Sequence, residues 1–184
     1  MISETLPHMK VKWGLSTVLG NYHVVGRCDV RGEDYSQYLI VSKPSRFNVL
    51  DWSTDWIKLP NQPTALTSFN GKVYAFDRHN TYRIDVANKV IEDVFEGIGC
   101  SGPDAVIVTE YGMVYADMHN IYLHDGTAPK PVGGPIKDSR AGGMGLDKVD
   151  LSANTSVSFD ASRGAFVVFT KRGASALYLS LIHI

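Results

Sequence analysis

Two short polar segments carry the side chains best suited to chemistry in this chain. They are residues 77–80 (DRHN) and residues 117–120 (DMHN). Carboxylate and imidazole groups are common ligands of transition metals, so the Asp and His of each segment could hold an ion. The two segments occupy equivalent turns of two sequence repeats, however, and such turns lie a full repeat apart. Because Asp and Asn side chains also bond the backbone of tight turns, we predict turns here and no metal site.

The other residues with chemical potential fall in positions typical of structure. His23 and His124 lie in predicted strands. The glycine-rich residues 133–147 lack the GxxxxGK[ST] and GxGxxG patterns of phosphate-binding loops, and the chain has no HExxH or GxSxG motif. The sequence therefore predicts no catalytic, cofactor-binding or metal-binding residues and no cofactor.

A repeat of about 41 residues must position these side chains. Residues 65–85 (ALTSFNGKVYAFDRHNTYRID) recur as residues 106–125 (VIVTEYGMVYADMHNIYLHD). Matching residues are 41 apart up to Ala75 and 40 apart from Asp77 onward, and Phe76 has no counterpart. The residues that define the repeat are Gly71, Val73, Tyr74, Asp77, Asn80, Tyr82, Gly112, Val114, Tyr115, Asp117, Asn120 and Tyr122.

Four tyrosines of the repeat, Tyr74, Tyr82, Tyr115 and Tyr122, could form a stacking platform for sugars or bases. Each recurs at one position per copy, which is typical of side chains that pack between sheets. We therefore predict that all four are packing residues.

Both copies of the repeat consist of short strands with alternating apolar and polar residues, separated by Gly, Asn and Asp turns. This pattern is typical of antiparallel hairpins, and about 41 residues with three or four strands is the size of one propeller blade. A helical repeat is the alternative, but neither copy has an apolar stripe at helical spacing. We predict an all-β, antiparallel, β-propeller-like fold, with an N-terminal segment at residues 1–18 and about three to four blades at residues 19–178.

Further strands are predicted outside the repeat, at residues 21–25, 38–42, 89–96, 130–132, 156–160, 165–170 and 176–179. Residues 26–37 indicate a hairpin loop because they are charged and contain glycine. Residues 46–59 indicate an irregular segment with room for one helical turn, and residues 133–147 a glycine-rich loop.

The composition is that of a globular protein with little excess charge. Of 184 residues, 44% are hydrophobic and 20% are charged, and the net charge is −1. Proteins that bind nucleic acid through its phosphates usually carry a basic patch, so this balance disfavours that function. The N-terminus lacks a signal-peptide pattern, and no apolar run is long enough for a membrane span. Cys28 and Cys100 stand alone in sequence, which predicts two free thiols in a reducing compartment.

The last six residues, LSLIHI at positions 179–184, match the in-frame translation of a transposon-end sequence used in preparing sequencing libraries. We interpret them as a non-native scar on an assembled environmental read, with the natural coding sequence interrupted near Tyr178. A natural apolar strand is the alternative. On the first interpretation the chain is a C-terminally truncated fragment, and its propeller is an incomplete, open arc with an exposed edge.

The order of several motifs resembles a family of phage structural proteins with β-propeller folds, found in tail, neck or nozzle assemblies. The motifs are YLIVSKPS (38–45), FNVLDW (47–52), IKLP (57–60), the hairpin at 66–84, GCSGP (99–103), the hairpin at 112–126 and SFDASRGAFVV (158–168). Each motif is weak alone, and the resemblance lies in their order over residues 20–178.

This resemblance implies a non-enzymatic component of a virion, assembled in the host cytoplasm, whose partners are other virion proteins. It also implies a ring of copies of the full-length protein, with no membrane and no sequence-specific nucleic acid as partner. Two alternatives stay open at this point. One is a carbohydrate-binding or glycan-active propeller module, and the other is a cellular scaffold propeller.

Overall fold

The computed structural model describes residues 4–5, 11–51, 54–133, 151, 155–172 and 176–183, and across them the chain is all-β, as predicted. Its strands form four separate sheets whose printed pairings are all antiparallel. Within the same residues the helical structure is a 3-10 turn at Pro103–Ala105, and no helix has the length and apolar character needed to cross a membrane.

The first sheet contains seven strands from the N-terminal part of the chain. Five of them run in the order β1-β6-β5-β4-β2, while β3 pairs with β4 and β7 pairs with β5. Their bounds are β1 Glu4–Thr5, β2 Val11–Lys12, β3 Leu15–Leu19, β4 Tyr22–Val30, β5 Glu33–Lys43, β6 Arg46–Leu50 and β7 Trp56–Lys58.

The other three sheets follow in chain order. The second sheet is β11-β10-β9-β8, the third β12-β13-β14-β15 and the fourth β16-β17-β18. Their bounds are β8 Ala65–Phe69, β9 Lys72–Phe76, β10 Asn80–Asp85, β11 Val90–Glu96, β12 Val106–Thr109, β13 Gly112–Ala116, β14 Ile121–His124, β15 Pro129–Pro131, β16 Ser156–Asp160, β17 Ala165–Arg172 and β18 Ala176–His183.

The first sheet shows more regular structure than the sequence predicts. Residues 26–37, predicted as a loop, continue β4 and β5 around a tight turn at Arg31 and Gly32, which both have positive φ (56° and 89°). Residues 46–59, predicted as irregular, contain β6 and β7. Both predictions were wrong because the charged residues there alternate onto exposed positions of strands and do not mark a break in pairing. Residue 18, the predicted end of the N-terminal segment, lies inside β3.

The chain divides into two compact units, one formed by residues 1–77 and 81–94 and the other by residues 78–80 and 95–184. In the first unit, one face of the first sheet packs on the second sheet. The buried residues of this main core are Leu15, Val24, Leu39, Val41, Ile57, Leu59, Leu66, Val73, Ala75, Tyr82, Ile84 and Val86. Alternating apolar side chains from two sheets supply this core, as expected for strands with one buried face.

The opposite face of the first sheet carries a smaller cluster, called here the second face. Its buried members are Val25, Cys28, Ile40 and Leu50, and the partly buried Val30, Tyr35 and Tyr38 pack against them. The second face therefore keeps aromatic side chains within reach of solvent.

The two copies of the sequence repeat form hairpins with the same hydrogen-bond register. In the first copy Phe76 pairs with Thr81, and in the second Ala116 pairs with Ile121, 40 residues later. The other hairpin of each copy agrees, since Leu66–Ala75 corresponds to Val106–Tyr115 at the same offset. The backbone thus relates the copies by a constant 40 residues, whereas sequence identity alone places part of β9 at an offset of 41.

In the second unit, β16 and β17 supply most of the buried apolar residues of the fourth sheet, with Phe159 and Phe166 in ring contact at 5.1 Å. Strands predicted at 156–160, 165–170 and 176–179 are present, the last two longer than expected. Residues Leu179 to His183 pair with β17 as part of β18, and their non-native origin stays a prediction. The predicted loop at 133–147 lies, beyond its first residue, outside the described residues.

Candidate functional site

The first DRHN turn places its carboxylate inside the protein. Asp77 is 2% exposed, and its Oδ2 accepts hydrogen bonds from the Tyr82 hydroxyl at 2.7 Å and from Asn61 Nδ2 at 2.9 Å. His79 of the same turn is exposed. The carboxylate therefore braces the strand that follows the turn, and the imidazole faces solvent.

The second turn repeats this arrangement with different donors. Asp117 is 3% exposed, and its Oδ1 accepts the backbone N–H groups of His119 and Asn120, both at 2.7 Å. Burial, followed by the charge and hydrogen bonding of Asp117, raises the pKa of Tyr122 to about 12. His119 is exposed, like its counterpart in the first turn. Each carboxylate thus serves its own turn, and the residues that the structure describes contain no group of three or more metal-ligating side chains.

The structure buries all four tyrosines of the repeat, at 1% exposure for Tyr74 and Tyr82, 0% for Tyr115 and 9% for Tyr122. They do not occupy equivalent faces. Tyr115 pairs with Tyr122 across β13 and β14, and their rings stack with centroids 5.6 Å apart. Tyr74 pairs with Arg83, while Tyr82 pairs with Ala75, so the first two tyrosines point to opposite faces of their sheet.

Both cysteines are buried and neither forms a disulfide. Burial raises the pKa of the Cys28 thiol to about 12. Burial likewise raises the pKa of Cys100 to about 12, and its Sγ–H donates to the carbonyl of Gly102 at 3.3 Å. A thiol that stays protonated at neutral pH is a poor nucleophile, so these two cysteines have packing roles.

A buried carboxylate of the first unit holds two lysines. Asp55 is 2% exposed, and its two oxygens contact Lys43 Nζ, at 2.7 Å, and Lys89 Nζ. Burial opposes ionisation of Asp55, but the hydrogen bonds and charges of the two lysines outweigh it and lower the pKa of its carboxyl. Because Lys43 ends β5 and Lys89 precedes β11, this ion cluster fixes the β7 segment to strands of both sheets of the unit.

A cavity of about 210 Å³ opens on the second face of the first sheet. It is lined by Tyr35, Tyr38, Ile40 and Trp56. The rings of Tyr35 and Tyr38 meet at 65° with centroids 5.6 Å apart, and those of Tyr38 and Trp56 at 75° and 5.5 Å. Rings at such angles form walls around a space, so this aromatic cavity is concave where a single exposed ring would be flat.

The strand register explains why these side chains share one face. Tyr38 lies opposite Lys58 and Ile40 opposite Trp56 across β5 and β7, so all four point the same way. Tyr35 would point the other way by simple alternation. The pairing of β4 with β5 shifts between Gly26 and Cys28, where Arg27 has φ of 56°, and this bulge turns Tyr35 to the same side.

Two charged groups border the aromatic cavity. Lys58 Nζ lies over the Tyr38 ring, 5.6 Å from its centroid. The Tyr35 hydroxyl donates to Glu33 Oε2 at 3.1 Å, and this hydrogen bond raises the pKa of Tyr35. The sequence analysis missed the site because Tyr35 lay in a predicted loop and Trp56 in a predicted irregular segment. The available signal was the Tyr-x-x-Tyr pair at 35 and 38 followed by a Trp before a short strand.

Fold and sites together define an all-β protein of antiparallel sheets with a duplicated, aspartate-braced hairpin. Comparison with protein-family models and with curated protein sequences found no match to this chain.

Proposed function

We propose that this chain is a non-enzymatic structural module of a phage virion, part of a tail, neck or nozzle, whose sheets are propeller-like blades. The duplicated hairpin carries the proposal. Two four-stranded sheets, each with its strands in chain order, repeat one register at a constant spacing of 40 residues and bury one turn aspartate each. A four-stranded antiparallel meander of about 40 residues is the unit from which propellers are built.

The electrostatics support a structural role for the carboxylates. Four of the aspartates with a lowered pKa have local partners, first among them the backbone of Asn88 for Asp85, Lys130 for Asp125 and Ser162 for Asp160, while the two lysines described above hold Asp55. A carboxyl group that works as a general acid usually has a raised pKa. The groups with perturbed acidity therefore stabilise turns and strand contacts, as suits an assembly component.

Exposed apolar residues on sheet edges support contacts with neighbouring virion proteins. β11 is an end strand of its sheet, and Val90 and Val94 on it are 48% and 41% exposed. Edge strands offer unpaired backbone groups to another chain, and exposed apolar side chains strengthen such contacts. On this proposal the edges and surfaces of the blades contact other virion proteins, and copies of the full-length protein form a ring.

The proposal is tested by imaging the full-length gene product by electron microscopy. The expected result is ring-shaped oligomers that the Val90→Lys, Val94→Lys double variant no longer forms while its circular dichroism spectrum stays native. A matched control is Val18→Lys, which changes an equally exposed valine of β3. Monomers of the wild-type protein at all concentrations, or turnover of a glycan by them, would contradict the proposal.

A further inference from the structure

The aromatic cavity on the second face has the composition of a small-molecule site. Its volume of about 210 Å³ lies below the range of about 300–1,000 Å³ typical of sites for larger ligands, so it encloses one ring-sized group. Trp56 is 44% exposed, and an indole this accessible offers an apolar surface to a ligand. The cavity therefore accepts a flat or chair-shaped ring with apolar C–H groups on one side.

Lys58 adds a positive charge at the rim of the cavity. Its interaction partner is the Tyr38 ring, and among the described residues no carboxylate forms an ion pair with it. The cation–π contact holds the ammonium beside the cavity, where its N–H groups remain available to an anion. Tyr38 is in this sense a positioning residue for Lys58.

The charges around the cavity separate the possible ligand classes. A quaternary ammonium would meet the Lys58 charge, which already occupies a position over one of the rings. A nucleic acid strand needs a basic track, whereas Glu33 borders the cavity and the chain has a net charge of −1. A sugar ring with a carboxylate satisfies all three features, since its C–H face stacks on an aromatic ring, its carboxylate pairs with Lys58 and its hydroxyls can bond Glu33.

We propose that the aromatic cavity binds a carboxylate-bearing pyranose unit of a saccharide, with the sugar ring on Trp56 and the carboxylate on Lys58. The site is independent of the virion role proposed above, because it uses the second face of the first sheet and none of the repeat residues.

The test titrates the protein with three acidic probes, tetragalacturonate, 3′-sialyllactose and a hyaluronan tetrasaccharide, and follows tryptophan fluorescence and saturation-transfer NMR. At least one probe is expected to bind saturably. Trp56→Ala should weaken its binding by about tenfold or more, as expected for the loss of a stacking contact. The matched control is Trp13→Ala, which removes an indole of similar exposure (40%) from the same unit, outside the cavity, and should change the affinity less than about twofold.

A second pair of measurements isolates the role of the charge. Lys58→Gln should weaken binding of the acidic probe by about tenfold, while the methyl ester of tetragalacturonate should bind wild type and Lys58→Gln equally. Native denaturation curves for each variant exclude unfolding as the cause. The proposal is overturned if no acidic probe binds up to about 10 mM, if Trp56→Ala binds as wild type, or if choline binds in place of the saccharides.

Discussion

Removal of one hydroxyl group, by Tyr82→Phe, should destabilise the first unit measurably. The Tyr82 hydroxyl donates to the buried carboxylate of Asp77 at 2.7 Å, and the ring lies in the main core at 1% exposure. The substitution leaves the ring in place, so it removes a hydrogen bond and adds almost no cavity. A hydrogen bond to a charged group contributes about 1.5–3 kcal/mol. Because Asn61 still donates to the same oxygen, we expect the lower half of that range, about 1.5–2 kcal/mol.

The assay is urea denaturation followed by tryptophan fluorescence. The three tryptophans, Trp13, Trp52 and Trp56, all belong to the first unit, so the signal reports the unit that carries the substitution. With a typical slope of about 1–3 kcal/mol per molar urea, the midpoint should fall by about 0.5–2 M. The control Tyr111→Phe removes an exposed hydroxyl and should change the free energy of unfolding by less than about 0.5 kcal/mol.

A double variant tests whether the two donors act on one oxygen. Asn61→Ala combined with Tyr82→Phe leaves Asp77 Oδ2 without either donor, so the combined loss should exceed the sum of the two single losses. A Tyr82→Phe midpoint equal to that of wild type would refute the reasoning, because it would mean that the bond to the buried carboxylate contributes no net stability.

Three further predictions concern glycine geometry, a buried charge and the two thiols. Gly112→Ala should cost more than about 2 kcal/mol, since φ is 134° and an added Cβ would lie 2.7 Å from the His124 carbonyl oxygen; Gly102→Ala, with φ of 176° and open space, should be nearly neutral in the same denaturation assay by circular dichroism. Asp55 has a lowered pKa, so its stabilisation is present above about pH 4 and is lost as the pH falls through the folded-state pKa; Asp55→Asn should cost about 2–4 kcal/mol at pH 7 and little at pH 2, and an equal cost at both values would contradict this. Cys28 and Cys100, with pKa raised to about 12, should resist alkylation at pH 8 until urea unfolds the chain, and stability should fall as the pH rises from about 9 toward 12, a fall that Cys→Ala at both positions reduces.

The sequence predicted the repeated hairpins well because their signals are local. Asn70 and Gly71 form a two-residue turn with positive φ at both positions (47° and 74°), which is the turn that Asn-Gly favours between antiparallel strands. The four-residue turn that starts at Asp77 likewise follows from side chains that bond their own backbone. Such signals are readable from a few adjacent residues.

The aromatic cavity was unpredictable for the opposite reason. Its side chains come from β5 and β7, which are separated in sequence by β6, and their common direction depends on a bulge at Arg27. A one-residue shift in pairing reverses every side chain beyond it, so alternation alone assigns Tyr35 to the wrong face. The constant spacing of the repeats was hidden in the same way, because identical residues at Val73 to Ala75 and Val114 to Ala116 suggested a shift that the backbone does not make.

That constant spacing determines where segments could be exchanged between the two hairpins. A chimera that follows sequence identity would move β9 into the place of β13 one residue out of step and would carry core side chains to the outside. Cuts made 40 residues apart keep every cross-strand pair, at the cost of putting Lys72 where Gly112 now lies against the His124 carbonyl. The older identity pattern and the present register thus record two different stages in the divergence of one duplicated gene segment.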